Sequence, residues 1–388
     1  MTKLSFTKVE VDGFRGLRSL KLDDLGRVNI FVGDNNSGKT SVLEALSILC
    51  QPYNPSEWLS MIRRRDFGGL DENHVQSLHW CFTQATTLED PETLIDAVCE
   101  FKCQGSFPLR ELRVNYSEFS GEPNPDEVRR SYSGSRLHRS NASLVGRIMR
   151  GAELVHVPVW SEAGESNYLP GLPAVKESPV TLRVWEGIYP LRYKRSNSLG
   201  LDSETLTPYS YQINRTQVRS QSKLIFQDVT PSMLELLQDF DVDIDGIAMA
   251  SFYGDRPAIY IKHRKLGMAP LSVFGDAMRR SVLLAATLPL LKAGSILLID
   301  EVEVGIHVTA LGKVFKWLTK AARELNIQIF VTTHSLEALD ALISASTKQE
   351  KDDIVAFHLS QTTEGTQCKR FSGDLLHRLR FERGLDVR

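Results

Sequence analysis

Apolar residues alternate with polar or charged ones from Phe6 to Val11, clearest at Phe6, Val9 and Val11, which predicts a strand; Asp12-Gly13 then marks a turn. Arg27 to Val32 is a short β-rich run that ends at Gly33. From Lys39 to Leu49, apolar Val42, Leu43, Leu46 and Leu49 fall at helical spacing. Strand patterning returns between about Trp80 and Tyr116, in Ala97–Phe101 and Leu112–Tyr116. Further on, helices are predicted over Pro231–Phe240, Ala277–Leu291 (bent near its end by Pro289), Leu311–Leu325 and Leu336–Ile343. Strands are predicted over Pro257–Lys262, Ile296–Ile299 and Gln328–Thr332, the last two wholly buried. This alternation predicts an α/β fold with a mostly parallel sheet covered on both faces, joined by antiparallel N-terminal strands.

The stretch from about Ser120 to Lys223 breaks the pattern. It is rich in Ser, Arg, Pro and Gly, and Pro123, Pro125, Pro158, Pro170, Pro173, Pro179, Pro190 and Pro208 exclude a long coiled coil. The expected organisation is an N-lobe over 1–120, an inserted arm over 121–224 and a C-lobe over 225–388.

A chain of 388 residues, 42% hydrophobic and 24% charged, has the composition of an ordinary folded protein. A formal net charge of −2 means that any nucleic-acid surface has to be a local patch. The N-terminus has no apolar leader core. The longest apolar run, Val282–Leu291, is interrupted by Thr287 and Pro289 and too short to span a bilayer, so no membrane partner and a cytoplasmic location are expected. Cys50, Cys81, Cys99, Cys103 and Cys368 form no C-x-x-C pair and read as core or surface thiols.

Gly33, Gly38, Lys39 and Thr40 match G-x-x-x-x-G-K-[ST] between a predicted buried strand and a predicted helix. In such a loop the glycines let backbone N–H groups of Asn35, Asn36, Ser37, Gly38 and Ser41 wrap phosphates, and the helix start turns its positive end on them. Lys39 neutralises the β and γ oxygens of ATP, and the Thr40 hydroxyl ligates Mg²⁺. Asp300-Glu301 follows the buried run Ile296–Ile299, where a strand has no structural use for two carboxylates. Asp300 is the expected second Mg²⁺ residue and Glu301 the expected base for the attacking water. His334, in Thr332-Thr333-His334-Ser335, ends the next buried strand and faces the same crevice, a catalytic candidate at the γ-phosphate. His307 is a weaker one. Ser272 and Gly275 precede a helix and offer a second anion site or an ordinary cap, with Arg279 and Arg280 one turn further in.

These elements, in this order, resemble the ABC-type ATPase heads of the SMC, RecF and OLD (overcoming lysogenization defect) group, over about 1–120 and 225–388. Val11-Asp12-Gly13-Phe14-Arg15-Gly16-Leu17 resembles the group's opening F-R motif and adds Arg15 to the nucleotide residues. Leu271 to Asp276 is similar to its signature motif, although Val273-Phe274 stand where small residues are usual. Asp300-Glu301-Val302-Glu303 with Gly305-Ile306-His307 resembles its Walker B and D-loop, and Thr332 to Ser335 its switch; no glutamine is assigned to a Q-loop. The compact OLD-like members, found in bacterial anti-phage defence loci, are the most similar. The resemblance implies an ATP-bound homodimer or higher homo-oligomer in which Ser272 reaches the γ-phosphate of the other head. It also implies an effector partner in trans, a nuclease or toxin. The alternative it allows is a RecF-like DNA clamp.

Arg129, Arg130, Arg136, Arg139, Arg147 and Arg150 lie in a stretch without Asp or Glu. They are a candidate contact for DNA or RNA phosphates or for an acidic partner, beside the plainer reading of a solvated loop.

Overall fold

The computed structural model describes residues 3–65, 73–82, 94–125, 127, 146–161, 178–188, 199–210, 231–250, 258–363 and 365–388. Strands β1 (Lys8–Asp12), β2 (Leu20–Leu22) and β3 (Val28–Val32) lead into helices α1 (Lys39–Cys50), α2 (Ser56–Arg65) and α3 (His74–His79). Five strands follow: β4 (Asp96–Gln104), β5 (Leu109–Gly121), β6 (Met149–Trp160), β7 (Val180–Trp185) and β8 (Ser203–Leu206). Then come α4 (Pro231–Gln238), β9 (Ile244–Ala250), β10 (Ala258–His263), β11 (Gly267–Pro270) and α5 (Asp276–Thr287). The chain continues through β12 (Ile296–Ile299), α6 (Val308–Glu324), β13 (Gln328–Thr332), α7 (Leu336–Ala345), β14 (Ile354–Thr362) and β15 (Gly365–Ser372).

The central sheet has the order β15-β14-β3-β13-β12-β8. Its strands are parallel except β15, which forms an antiparallel edge on β14. Every residue of β3, β12 and β13 is buried, the signature of parallel strands covered on both faces. Side chains alternate between two cores. Ile30, Val32, Leu297, Ile299, Ile329 and Val331 pack with residues of α5, α6 and α7. Phe31, Leu298, Phe330 and Phe357 face the other way, into a core shared with α1 and a second six-stranded sheet. That sheet, β2-β1-β4-β5-β6-β7, is antiparallel throughout. All of α1 except Thr40 is buried, because the helix shares its core with both sheets; the apolar period seen in the sequence marks only part of its buried surface. A three-stranded sheet, β11-β10-β9, leads into α5.

Two features depart from the sequence reading. Within the expected arm over 121–224, the described strands join the two sheets: β6 and β7 extend the antiparallel sheet, and β8 pairs in parallel with β12 at the edge of the central sheet. In β6, Ala152, Leu154 and His156 are buried at period two. Pro158 and the surrounding Ser/Arg-rich chain obscure that alternation in the sequence. The β14–β15 hairpin was not predicted either, although β14 opens with four buried residues. Four cysteines are buried and Cys368 is half-buried; desolvation pushes Cys81, Cys103 and Cys368 up to about 12, where thiols are poor ligands and nucleophiles. Among the described residues no helix is long and apolar enough to cross a membrane.

Candidate nucleotide-binding site

β3 delivers the chain to a loop whose backbone needs glycine at both ends. Gly33 has φ +141°, and a Cβ there would overlap the Leu359 carbonyl of β14. Gly38, at φ +96°, would place a Cβ 2.8 Å from Leu17 Cδ2. Asn36, at the exposed crest with Asn35, is itself left-handed at φ +66°. The Lys39 ammonium is buried inside the loop, where it donates to Gly33 O (2.8 Å), Asp34 O (2.7 Å) and Ser37 Oγ (3.3 Å). Burial lowers its pKa, while Asp34, Asp300, Glu301 and Glu303 pull it back up. α1 starts at Lys39 with no acidic residue in its first turn, so the amide end of a three-turn helix meets the loop without a competing carboxylate. Ser41 lies buried in that first turn.

Gly33→Ala is expected to lower the thermal midpoint by several degrees and to weaken nucleotide binding. The strained φ alone costs about 1–3 kcal/mol, before any overlap with Leu359. Thermal unfolding with and without ATP measures both effects, and an unchanged midpoint would contradict the argument.

β12 brings the acidic pair to the same place. Thr40 Oγ1 lies 3.1 and 3.2 Å from the two carboxylate oxygens of Asp300, 260 positions along the chain. The Thr332 hydroxyl, at the end of β13, donates to Asp300 Oδ1 (2.6 Å) and accepts the Glu301 backbone N–H (2.8 Å). Asp300 N donates to Leu206 O at the end of β8. Glu301 has φ +46°, unusual for a residue with a side chain. Its peptide is held from α5: Arg280 donates to Asp300 O (3.1 Å) and Glu301 O (2.7 Å). A left-handed non-glycine costs about 1–3 kcal/mol, and each bond from a charged donor contributes about 1.5–3 kcal/mol, so the two bonds offset the strain. Partial burial raises the Glu301 carboxyl above its ordinary pKa; the charges of Asp300 and Glu303 add to this, while His334 and Arg280 oppose it.

His334 Nε2 stands 3.9 Å from Glu301 Oε1, with its side chain 39% exposed. Its backbone N–H donates to Glu303 Oε1 (2.8 Å), which fixes the switch turn to the acidic turn. Ser272 sits on a short 3-10 turn, Leu271–Val273, before α5; it is exposed and makes no hydrogen bond among the described residues. Gly275 caps α5 without a side-chain bond and has open space around it. Arg15, at φ +51°, pairs with Glu44 of α1 (2.9 Å), which also accepts two bonds from Arg65.

Three expectations need correction. Arg280 does not add charge at the signature turn: its guanidinium reaches back to the acidic turn, while Arg279 pairs with Asp276 at 3.2 Å. His307 caps α6, its ring accepting the Thr309 N–H, and so reads as structural. Arg150 is no open phosphate contact, because it is paired at 2.6 Å with the buried Glu118. Arg129, Arg130, Arg136 and Arg139 lie outside the described residues; Arg147 is exposed. Sequence reasoning passed over Thr332 as a holder of the acidic pair. It also assigned nothing to Gln361, whose Nε2 donates to Ser37 O at 3.2 Å and ties β14 to the loop.

Two family models match the chain: "AAA ATPase domain" over residues 5–111, and "AAA domain, putative AbiEii toxin, Type IV TA system" over residues 180–340. The fold is α/β with a mostly parallel central sheet, and both matching models describe AAA domains. The second match begins at β7, inside the expected arm. An "ATP/GTP phosphatase" of Helicobacter pylori is 22% identical over 86% of each chain. An uncharacterised protein of Methanocaldococcus jannaschii is 50% identical over 40 residues, 10% of this chain and 18% of that protein. The "DNA replication and repair protein RecF" of Pseudomonas paraeruginosa is 50% identical over 46 residues, 12% of each chain. The last two matches therefore span small parts of their relatives. A solved structure of an SmcHead bound to the C-winged helix domain of ScpA shares 11% identity over 95% of this chain and 97% of that chain, with a TM-score of 0.49.

Proposed function

We propose that the chain is a Mg²⁺-dependent ATPase switch whose heads pair on ATP, part on hydrolysis, and thereby control an effector protein, a nuclease or toxin, in anti-phage defence. The observation that carries the ATPase reading is the meeting of Thr40 and Asp300 at 3.1 Å. Nothing in local chain order requires it, and it brings the phosphate loop and the acidic pair together.

The donor set suits the ion: a hydroxyl and a carboxylate are hard oxygen ligands, and Mg²⁺ is commonly held by one or two such groups together with substrate phosphates. Thr40 and Asp300 would hold it, and it would supply neutralisation of phosphate charge. Backbone amides from Asn35 to Thr40 and the Lys39 ammonium would cradle the triphosphate. Glu301, poised by partial burial and aimed from a constrained backbone, would take the proton of the attacking water. His334 would orient that water or bond the γ-phosphate. Ser272, exposed and without a hydrogen bond among the described residues, would serve the site of a second head.

Support for the defence role is the matched family description, which names a putative toxin of a type IV TA system. Phosphate release from ATP, measured with and without Mg²⁺ beside Glu301→Gln, tests the reaction. Release equal in the two proteins would overturn it. Identification of the protein that co-purifies with Glu301→Gln in ATP tests the partner.

The RecF match favours a second reading, a clamp that closes on duplex DNA. ATP-dependent retention of a closed DNA circle, lost on linearisation, is its expected result. Replacing Arg129, Arg130, Arg136, Arg139 and Arg147 by Ala, with Arg150 left on Glu118, asks whether that segment contributes.

A further inference from the structure

Resting on the ATPase reading, we propose that Arg280 is a positioning residue: from α5 its guanidinium holds the Glu301 peptide, and so ties the general base to the turn that carries Ser272. Arg280 is 3% exposed. Its terminal nitrogens reach three backbone carbonyls on two separate segments: Asp300 and Glu301 at the end of β12, and Pro208 just beyond β8 at 3.4 Å. A buried guanidinium carries a large desolvation cost, and a stability role alone would be served as well by an apolar side chain of the same size. A planar fork that spans several acceptors at once is what only arginine supplies.

The placement gives the fork its meaning. Glu301 is left-handed, so the direction of its carboxylate follows from how its peptide is fixed. Thr332 fixes the N–H side and Arg280 the carbonyl side. Thr332 belongs to β13, in the middle of the central sheet. Arg280 belongs to a helix that begins at Asp276, directly after the exposed Ser272–Gly275 turn. A second head that pressed on that turn would move α5, and with it the carbonyl that sets the base. Arg279, one position earlier, pairs with Asp276 at 3.2 Å.

The test is steady-state ATP turnover of the full chain, with ATP affinity measured separately. Arg280→Met is expected to lower kcat at least about tenfold while ATP affinity stays within about threefold. Arg280→Lys keeps the charge but not the fork; its kcat should fall between the two. Two results would overturn the proposal: an undiminished kcat in Arg280→Met, or kcat and affinity lost together. If Arg280→Met does not fold, Arg280→Lys decides alone: reduced kcat at kept affinity supports the linkage, and full kcat overturns it. Absence of turnover in the unaltered protein would instead remove the ATPase reading on which the linkage rests.

Discussion

Glu301→Gln is expected to bind ATP as tightly as the unaltered protein and to release phosphate about 10²–10⁴ times more slowly, the range that a positioned general base contributes. The substitution keeps the shape of the side chain and leaves untouched the backbone bonds that fix it, to Thr332 and Arg280. It removes only the group that accepts a proton. Because burial and Asp300 hold the carboxyl above its ordinary pKa, the acid limb of kcat should lie at higher pH than a free glutamate would give, with activity rising as pH rises through it. Light scattering in ATP should show the variant accumulating as paired heads, since the step that parts them is blocked. Wild-type turnover in a clean preparation would remove Glu301 from the role of base. Normal inhibition without pairing would leave the chemistry in place and take away the dimer switch.

How much of this was legible beforehand differs from element to element for physical reasons. The loop from Gly33 to Thr40 and the pair Asp300-Glu301 could be found because their chemistry demands residue types that a buried strand end otherwise avoids. The strand Gln328–Thr332 was legible to the residue, since its centre, Ile329-Phe330-Val331, is an unbroken apolar run of the kind a buried parallel strand requires. β8 was not: Ser203-Glu204-Thr205 is polar and half-buried, and the strand pairs with β12 at the edge of the central sheet. The acidic turn's supports were missed for a related reason. Thr332 and Arg280 act through hydrogen bonds across 31 and 21 positions of chain, and no local spacing encodes such distances. Arg280 was seen as a charge near a helix start, but the helix turns it away from that start and toward β12. His334 of the switch turn lies 3.9 Å from Glu301, while the turn's tether, Glu303, stood in the sequence only as part of the Walker B resemblance.

Lys39→Ala is expected to cost about 10²–10⁴-fold in ATP affinity, because two charge-assisted bonds to phosphoryl oxygens contribute about 3–6 kcal/mol together. The geometry says why no neighbour replaces it. Among the described residues, the groups that influence the ammonium most after burial are Asp34, Asp300, Glu301 and Glu303, all acidic. Without Lys39 a triphosphate would face several carboxylates across the loop with only backbone amides in compensation. Lys39→Arg should also bind poorly: the ammonium fits between Gly33 O and Asp34 O at 2.8 and 2.7 Å, and the planar fork is too large for that space. Unliganded stability is expected to stay close to that of the unaltered protein, since removal of a buried charge offsets the loss of its three bonds within the loop. Calorimetric titration with ATP and thermal unfolding without it separate the two effects. Retained affinity in Lys39→Ala would mean that the phosphates lie elsewhere, and the contact between Thr40 and Asp300 would then be a structural tie between two ends of strands rather than the floor of a nucleotide site.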